Sequence, residues 1–305
     1  MKRILIFLSF AITIALLGNW VIKSPETLPE KDTFLHHYKR NTFNTLLSLK
    51  RDFYSNNHVP LCKNKIDIVI LATENDLPTV RHAIDAAKGL IMHPINKVYL
   101  VCADSKKMRD IALEKDTEFV DENEVITTNQ KELSQKLKHE FIKLNIDAFT
   151  QSDYCLIIHA NTVLLQTQIF LRDDKAVLFS TEDYSIERKH MVDSILKFEK
   201  YHNIGFTGPI MFFDKVKLKS LKNYLEKLHN SSWHEALNTV DISEQNFSAF
   251  EIYANFVLTF FPEKTMITCD KNSKIPVEHA EGVEWQRGFL SRDSKSLTFQ
   301  RSTDS

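Results

Sequence analysis

The chain is poor in glycine and cysteine and carries no surplus of charge of either sign. Only 6 of its 305 residues are glycine, which excludes collagen-like and glycine-linker classes. The 4 cysteines, Cys62, Cys102, Cys155 and Cys269, contain no Cys-x-x-Cys pair. That is too few for a disulfide scaffold and argues against a cysteine-rich zinc site. Basic residues number 39 and acidic residues 40, a formal net charge of −1. A dedicated nucleic-acid binder would carry a basic surplus, so no nucleic-acid partner is expected. There is no internal repeat and no low-complexity tract. What is present is ordinary globular material, 43% hydrophobic and 26% charged. The length suits about two domains, or one larger α/β domain with additions.

One run alone is long and apolar. Met1-Lys2-Arg3 precedes Ile4–Ile22, 19 residues without a charge. As a helix that run is about 28 Å long, close to the hydrocarbon thickness of a bilayer. Trp20 stands where an interfacial aromatic belongs. Lys2 and Arg3 place residues 1–3 in the cytoplasm by the positive-inside rule. The rival is a cleaved signal peptide, but Leu16 before Gly18 is a poor match to a small-x-small cleavage site. The expectation is a single-pass type II membrane protein with a signal-anchor over 4–22. The rest would lie in the Golgi or endoplasmic reticulum lumen of a eukaryote, or on the periplasmic side of a bacterial inner membrane. Two Asn-x-Ser sequons, Asn230-Ser231-Ser232 and Asn246-Phe247-Ser248, fit the first of these.

Residues 23–64 read as a stem, with Pro25, Pro29 and Pro60 and a helix over about 32–55. From residue 65 the pattern changes. Ile66–Ala72 is a short apolar run of the kind buried on both faces of a parallel sheet. Pro78–Leu90 has helical spacing and Lys97–Cys102 is a second strand, so the three form a βαβ unit. Phe119-Val120 is a short third strand. Leu133, Leu137, Phe141, Leu144 and Ala148 mark an amphipathic helix. Tyr154–Ile158 and Val177–Ser180 read as strands. Ile186–Tyr201, Lys215–His229 and a segment from Ser248 read as helices. Residues 286–305, rich in Ser, Arg, Asp and Lys, read as a flexible tail. The expected fold is a single α/β domain over 65–285.

Ligands of open parallel sheets bind at the carboxyl ends of the strands. Three such ends are visible: Thr73-Glu74-Asn75-Asp76, Ala103-Asp104-Ser105 and His159-Ala160-Asn161-Thr162. No Gly-rich phosphate loop follows the first strand, which argues against a dinucleotide fold of the usual kind and against a P-loop.

Three stretches carry a family resemblance: DIVILATENDLPTVRHAIDA at Asp67–Ala86, FVDENEVI at Phe119–Ile126 and SAFEIYANFV at Ser248–Val257. EFIKL at Glu140–Leu144 and YCLIIHANTVLL at Tyr154–Leu165 stand at fitting intervals between them. In these the chain resembles the GT-A type nucleotide-diphospho-sugar transferases, and within them the DUF6492-like glycosyltransferase group. The resemblance implies a Rossmann-type mixed sheet flanked by helices. It implies transfer of a sugar from a nucleotide-sugar donor to a glycan, lipid or protein acceptor. It also implies a divalent cation, Mn²⁺ or Mg²⁺, held by an acidic triplet after a central strand.

Here the chain departs from that pattern. The triplet reads His159-Ala160-Asn161, so both carboxylates are missing and a degenerate metal site is expected. The segment Phe206–Met211 lacks the family's histidine, and His139-Glu140 replaces a glutamine pair. On the resemblance, Thr73, Glu74, Asp76, Asp104 and Lys143 hold the donor and His159 and Asn161 line the diphosphate or metal position. His279 would be a late metal ligand, and Glu251 an acceptor-side general base. Each has a structural alternative. Glu74 and Asp76 suit a helix start. Asp104 suits a solvated turn. Lysine on a helix, as at 143, is usually exposed. Ser248-x-x-Glu251 reads as a capping box. The functional alternative to transfer is a catalytically inactive binding module that has lost its metal site.

Overall fold

The computed structural model describes residues 62–181, 183, 185–198, 204–238, 242–269, 272–276 and 294–300. The expected cytoplasmic tail, the 4–22 anchor, stem residues 23–61 and His279 lie outside the described residues. Among the described residues no helix is long and apolar enough to cross a membrane.

A mixed sheet organises the chain. β1 (Ile66–Leu71), β2 (Ile95–Cys102), β3 (Glu118–Asp121), β4 (Tyr154–His159) and β8 (Ile210–Asp214) pair in the order β3-β2-β1-β4-β8. The first four are parallel and β8 is antiparallel to β4. Every residue of β1 is buried, as its unbroken apolar run demands of a strand covered on both faces. Its one charged member, Asp67, is paired: the Gln151 N–H, the Ser152 N–H and hydroxyl, and the Asn96 amide all donate to it.

Helices connect the parallel strands. α1 (Val80–Leu90) crosses from β1 to β2, and α2 (Lys106–Glu114) from β2 to β3. After β3 come the short α3 (Glu122–Val125) and then α4 (Gln135–Leu144), which leads to β4. The amphipathic segment expected over 133–148 is therefore divided. Ser134 caps α4 by accepting the Leu137 N–H, and the helix closes at Asn145 before a 3-10 turn at Ile146–Ala148. α5 (Ile186–Leu196) stops short of the expected Tyr201, because Lys197 turns into the left-handed region at φ 55°. α6 (Lys215–His229) has the bounds its pattern predicts. α7 (Trp233–Asn238) and α8 (Ala249–Phe260) complete the helices used below.

Two small sheets complete the fold, and of their strands only β7 (Lys175–Ser180) matches a segment expected from the sequence, Val177–Ser180. β6 (Leu171–Arg172), β7 (Lys175–Ser180) and β9 (Thr265–Cys269) form one, in the order β6-β7-β9. β10 (Asn272–Pro276), β11 (Ser296–Gln300) and β5 (Thr162–Leu164) form the other, in the order β10-β11-β5. Within the segment 286–305, expected to be a flexible tail, Ser296–Gln300 is the strand β11. Leu297 and Phe299 are each 2% exposed, so the alternation within Ser296–Gln300 is that of a packed strand. Its polar residues are matched as well: the Thr162 and Thr298 hydroxyls are 2.9 Å apart, and both Ser296 and Thr298 donate to Asn272.

Candidate functional site

β1 has β2 on one side and β4 on the other, and the chain reaches them by connections running in opposite senses. In open α/β sheets such a switch point opens a crevice at the carboxyl ends of the two strands. Here those ends carry Thr73–Asp76 and His159–Asn161. The Ala160 N–H donates to Leu71 O at 2.8 Å, and the Thr79 hydroxyl donates to Ala160 O at 2.9 Å. The two loops are thus tied together at their base. Thr79 has no part in the sequence reading, and only this contact across 81 residues reveals it.

After β1, Asp76 is a local cap. Its Oδ2 accepts the Thr73 N–H at 2.7 Å and the Thr73 hydroxyl at 2.9 Å, closing a 3-10 turn over Glu74–Asp76. Thr73 and Asp76 are therefore positioned by each other, and Glu74 is exposed at the rim. After β2, Asp104 is exposed and accepts from Arg109 Nε at 2.6 Å. That hydrogen bond holds the Asp104 carboxyl below its usual range. The Arg109 guanidinium also lies 4.3 Å from the centre of the Phe119 ring.

Lys143 is not the exposed helical lysine its position suggests. It is 3% exposed, its Nζ donates to Glu140 Oε1 at 2.6 Å and it lies 4.3 Å from the Phe250 ring centre. The other oxygen of Glu140 accepts the Ala249 N–H, the first of α8, at 2.8 Å. An ammonium and a helix N-terminus thus converge on one carboxylate.

His159 packs on the same Phe250 ring, with centroids 6.1 Å apart. Burial pushes its pKa well below 6.5, and the charges of Lys143 and His139 lower it further, so the imidazole is neutral at pH 7. Beside it lies a second polar group the sequence reading did not assemble. Gln135 Nε2 donates to Glu122 Oε2 at 2.6 Å and lies 2.9 Å from His139 Nε2, which is 3.6 Å from Glu122 Oε2. Burial raises the Glu122 pKa, but hydrogen bonds from His139 and Gln135 more than offset this and leave it lowered. The signal was available: Gln135, His139 and Lys143 recur every four residues, a polar stripe along α4.

Asn161 faces the other way. Its Nδ2 donates to Phe299 O at 3.1 Å, its Oδ1 accepts the Thr162 hydroxyl at 3.3 Å and its backbone oxygen accepts the Phe299 N–H at 2.8 Å. It fastens β11 to the end of β4. A cation at the triplet would have one neutral amide already engaged and one imidazole beside the Lys143 charge. Among the described residues no group of three or more His, Cys, Asp or Glu is arranged to hold a metal ion. The described residues at the triplet do not fit Mn²⁺ or Mg²⁺.

Glu251 is buried, at 1% exposure. Oε1 accepts the Phe206 N–H at 2.9 Å and Oε2 the Asn255 amide at 3.2 Å. Ser248 does cap α8 by accepting the Glu251 N–H, but the carboxylate does not return to the Ser248 backbone as a capping box requires. It pins Phe206 to α8 instead.

No family model matches this chain, and no curated protein does. Among solved structures, the chain is similar to the galactosyltransferase LgtC in complex with donor and acceptor sugar analogues. Identity is 11% and the TM-score 0.40, over 77% of this chain and 87% of that one. At that level the likeness carries no argument about chemistry.

Proposed function

We propose that the chain is a GT-A-like glycosyltransferase that takes a nucleotide-sugar at the β1/β4 crevice and holds it without a divalent cation. The observation that carries this reading is the convergence of Lys143 and the α8 N-terminus on Glu140, next to neutral His159. The Glu140 carboxylate fills that anion position, and a diphosphate would reach the same two partners by taking its place. Thr73, Glu74 and Asp104 would face the nucleoside from the ends of β1 and β2. The sugar would pass to a glycan, lipid or protein acceptor. The expected anchor would keep the domain at a membrane.

Glu251 favours a second reading. Its two oxygens hold the Phe206 N–H and the Asn255 amide, a structural use of the carboxylate that suits a binding module which does not transfer.

A thermal-shift screen of the full chain with UDP, GDP, CMP and their sugar conjugates, with Mn²⁺ and with EDTA, tests the first reading. A ligand at 100 times its dissociation constant adds about 2.7 kcal/mol, several degrees for a domain of this size. The expected result is a shift with one donor that survives EDTA and is lost in Lys143→Ala. No shift with any donor overturns nucleotide-sugar binding, and a shift that needs Mn²⁺ overturns the cation-free site. Release of free sugar from the bound donor separates transferase from module.

A further inference from the structure

The two sequons are alike in sequence and unlike in the fold. Asn246 lies in a tight turn, where its Oδ1 accepts the Ser243 N–H at 2.7 Å. The next residue, Phe247, is 3% exposed and packs on Phe141 with ring centroids 5.4 Å apart. The third, Ser248, is the N-cap of α8. Asn246 is half-buried in its turn, and the two residues after it are built into the core and the helix cap. A bulky glycan there would displace the turn that seats α8 and Glu251.

Asn230 is the opposite case. It ends α6 in the left-handed region at φ 51°, a conformation asparagine tolerates. Asn230 and Ser232 are exposed. The Ser232 hydroxyl interacts only locally, donating to Glu235 Oε2 at 2.8 Å and accepting the Glu235 N–H at 3.3 Å. A glycan on this turn would point into solvent over Leu228, which is 39% exposed. An Asn-x-Ser site on an exposed turn is where such a solubilising group is accommodated.

We propose that Asn230 is an N-glycosylation site and that Asn246 is not. The co-substrate is an oligosaccharide carried on a lipid diphosphate in the lumen of the secretory pathway. Asn230 Nδ2 forms a bond to the anomeric carbon of the first sugar and loses one amide proton to the oligosaccharyltransferase. The sugar–phosphate bond breaks, and the lipid diphosphate leaves with its electron pair. This inference rests on the luminal orientation expected from the N-terminus and is independent of what the crevice binds.

The test is expression of the full chain in eukaryotic secretory cells, followed by peptide:N-glycosidase digestion and gel mobility. The expected result is a single-step mobility shift that digestion removes. Asn230→Gln abolishes it and Asn246→Gln leaves it unchanged. Mass spectrometry after digestion places the converted asparagine at position 230. Absence of a digestible shift overturns the inference, whether from failed translocation or an unused site. So does a glycan on Asn246.

Discussion

Glu140–Lys143 and Asp104–Arg109 are ion pairs of the same length, 2.6 Å each, in opposite surroundings. The side chains of the first are 10% and 3% exposed and those of the second 58% and 52%. In the first pair neither charge can turn to water, and the carboxylate is also the acceptor for the first N–H of α8. In the second, solvent replaces whichever partner is lost. Distance alone therefore says little about what a charge does for a fold; what lies around it decides.

The largest effect that would test this contrast is Glu140→Ala. It leaves Lys143 buried without a counter-charge and orphans the Ala249 N–H. Removing one partner of a buried pair costs about 3–5 kcal/mol. The melting temperature should fall on the order of 10 °C. Glu140→Gln keeps an acceptor oxygen and should fall less. If Glu140→Ala costs no more than Asp104→Ala, the contrast is wrong.

The second test extends the comparison to the triplet. A double substitution, His159→Asp with Asn161→Asp, rebuilds the acidic pattern. It also removes the amide that donates to Phe299 O, a loss of about 1–3 kcal/mol. The expected outcome in a melting assay is lower stability and no rise with Mn²⁺. A Mn²⁺-dependent rise would show that the missing carboxylates alone disable the site, and that the hold on β11 does not.

The third test uses pH. Burial pushes the His93 pKa down to about 4 from 6.5. Its Nε2 accepts the Phe170 N–H, so a proton there would break that bond. A histidine with a lowered folded pKa binds more protons unfolded than folded between the two values. Stability is therefore full above about pH 6.5 and declines as pH falls toward about 4. His159, whose pKa is also lowered, acts in the same direction. The lowered Glu122 pKa adds stability that is full above about pH 4.5 and is lost as pH falls through its folded value. Melting temperatures from pH 8 to 4 should show a decline starting near 6.5, and His93→Gln should flatten its upper part.

The smallest effect is expected from Asp104→Ala. Its carboxylate is solvated and its bond to Arg109 competes with water, so the melting temperature should not change measurably. A clear drop would mean the rim of the site is more tightly built than its exposure indicates.

The parallel half of the sheet was legible because its signals are local. Ile66–Leu71 is an apolar run that must be covered on both sides, and Val80–Leu90 follows within reach of a crossover. The cap at Ser248 stands one residue before its helix. Of the small sheets only β7 was legible. β5 is three residues long and β6 two, and β5 pairs with a strand more than 130 residues later. Within residues 286–305, a polar composition hid the alternation of Leu297 and Phe299.

The sequence by itself determined the first βαβ unit and the strands that follow at 119–120 and 154–158, the missing carboxylates at 159 and 161, and the apolar run at the N-terminus. These follow from residue type and spacing along the chain. Only the tertiary structure decided which charges are buried, that Glu251 holds Phe206, that Asn161 fastens β11 and that Asn230 alone of two like sequons is free of the core. Those outcomes depend on desolvation and on hydrogen-bond partners 45 to 138 residues apart, which no local pattern encodes.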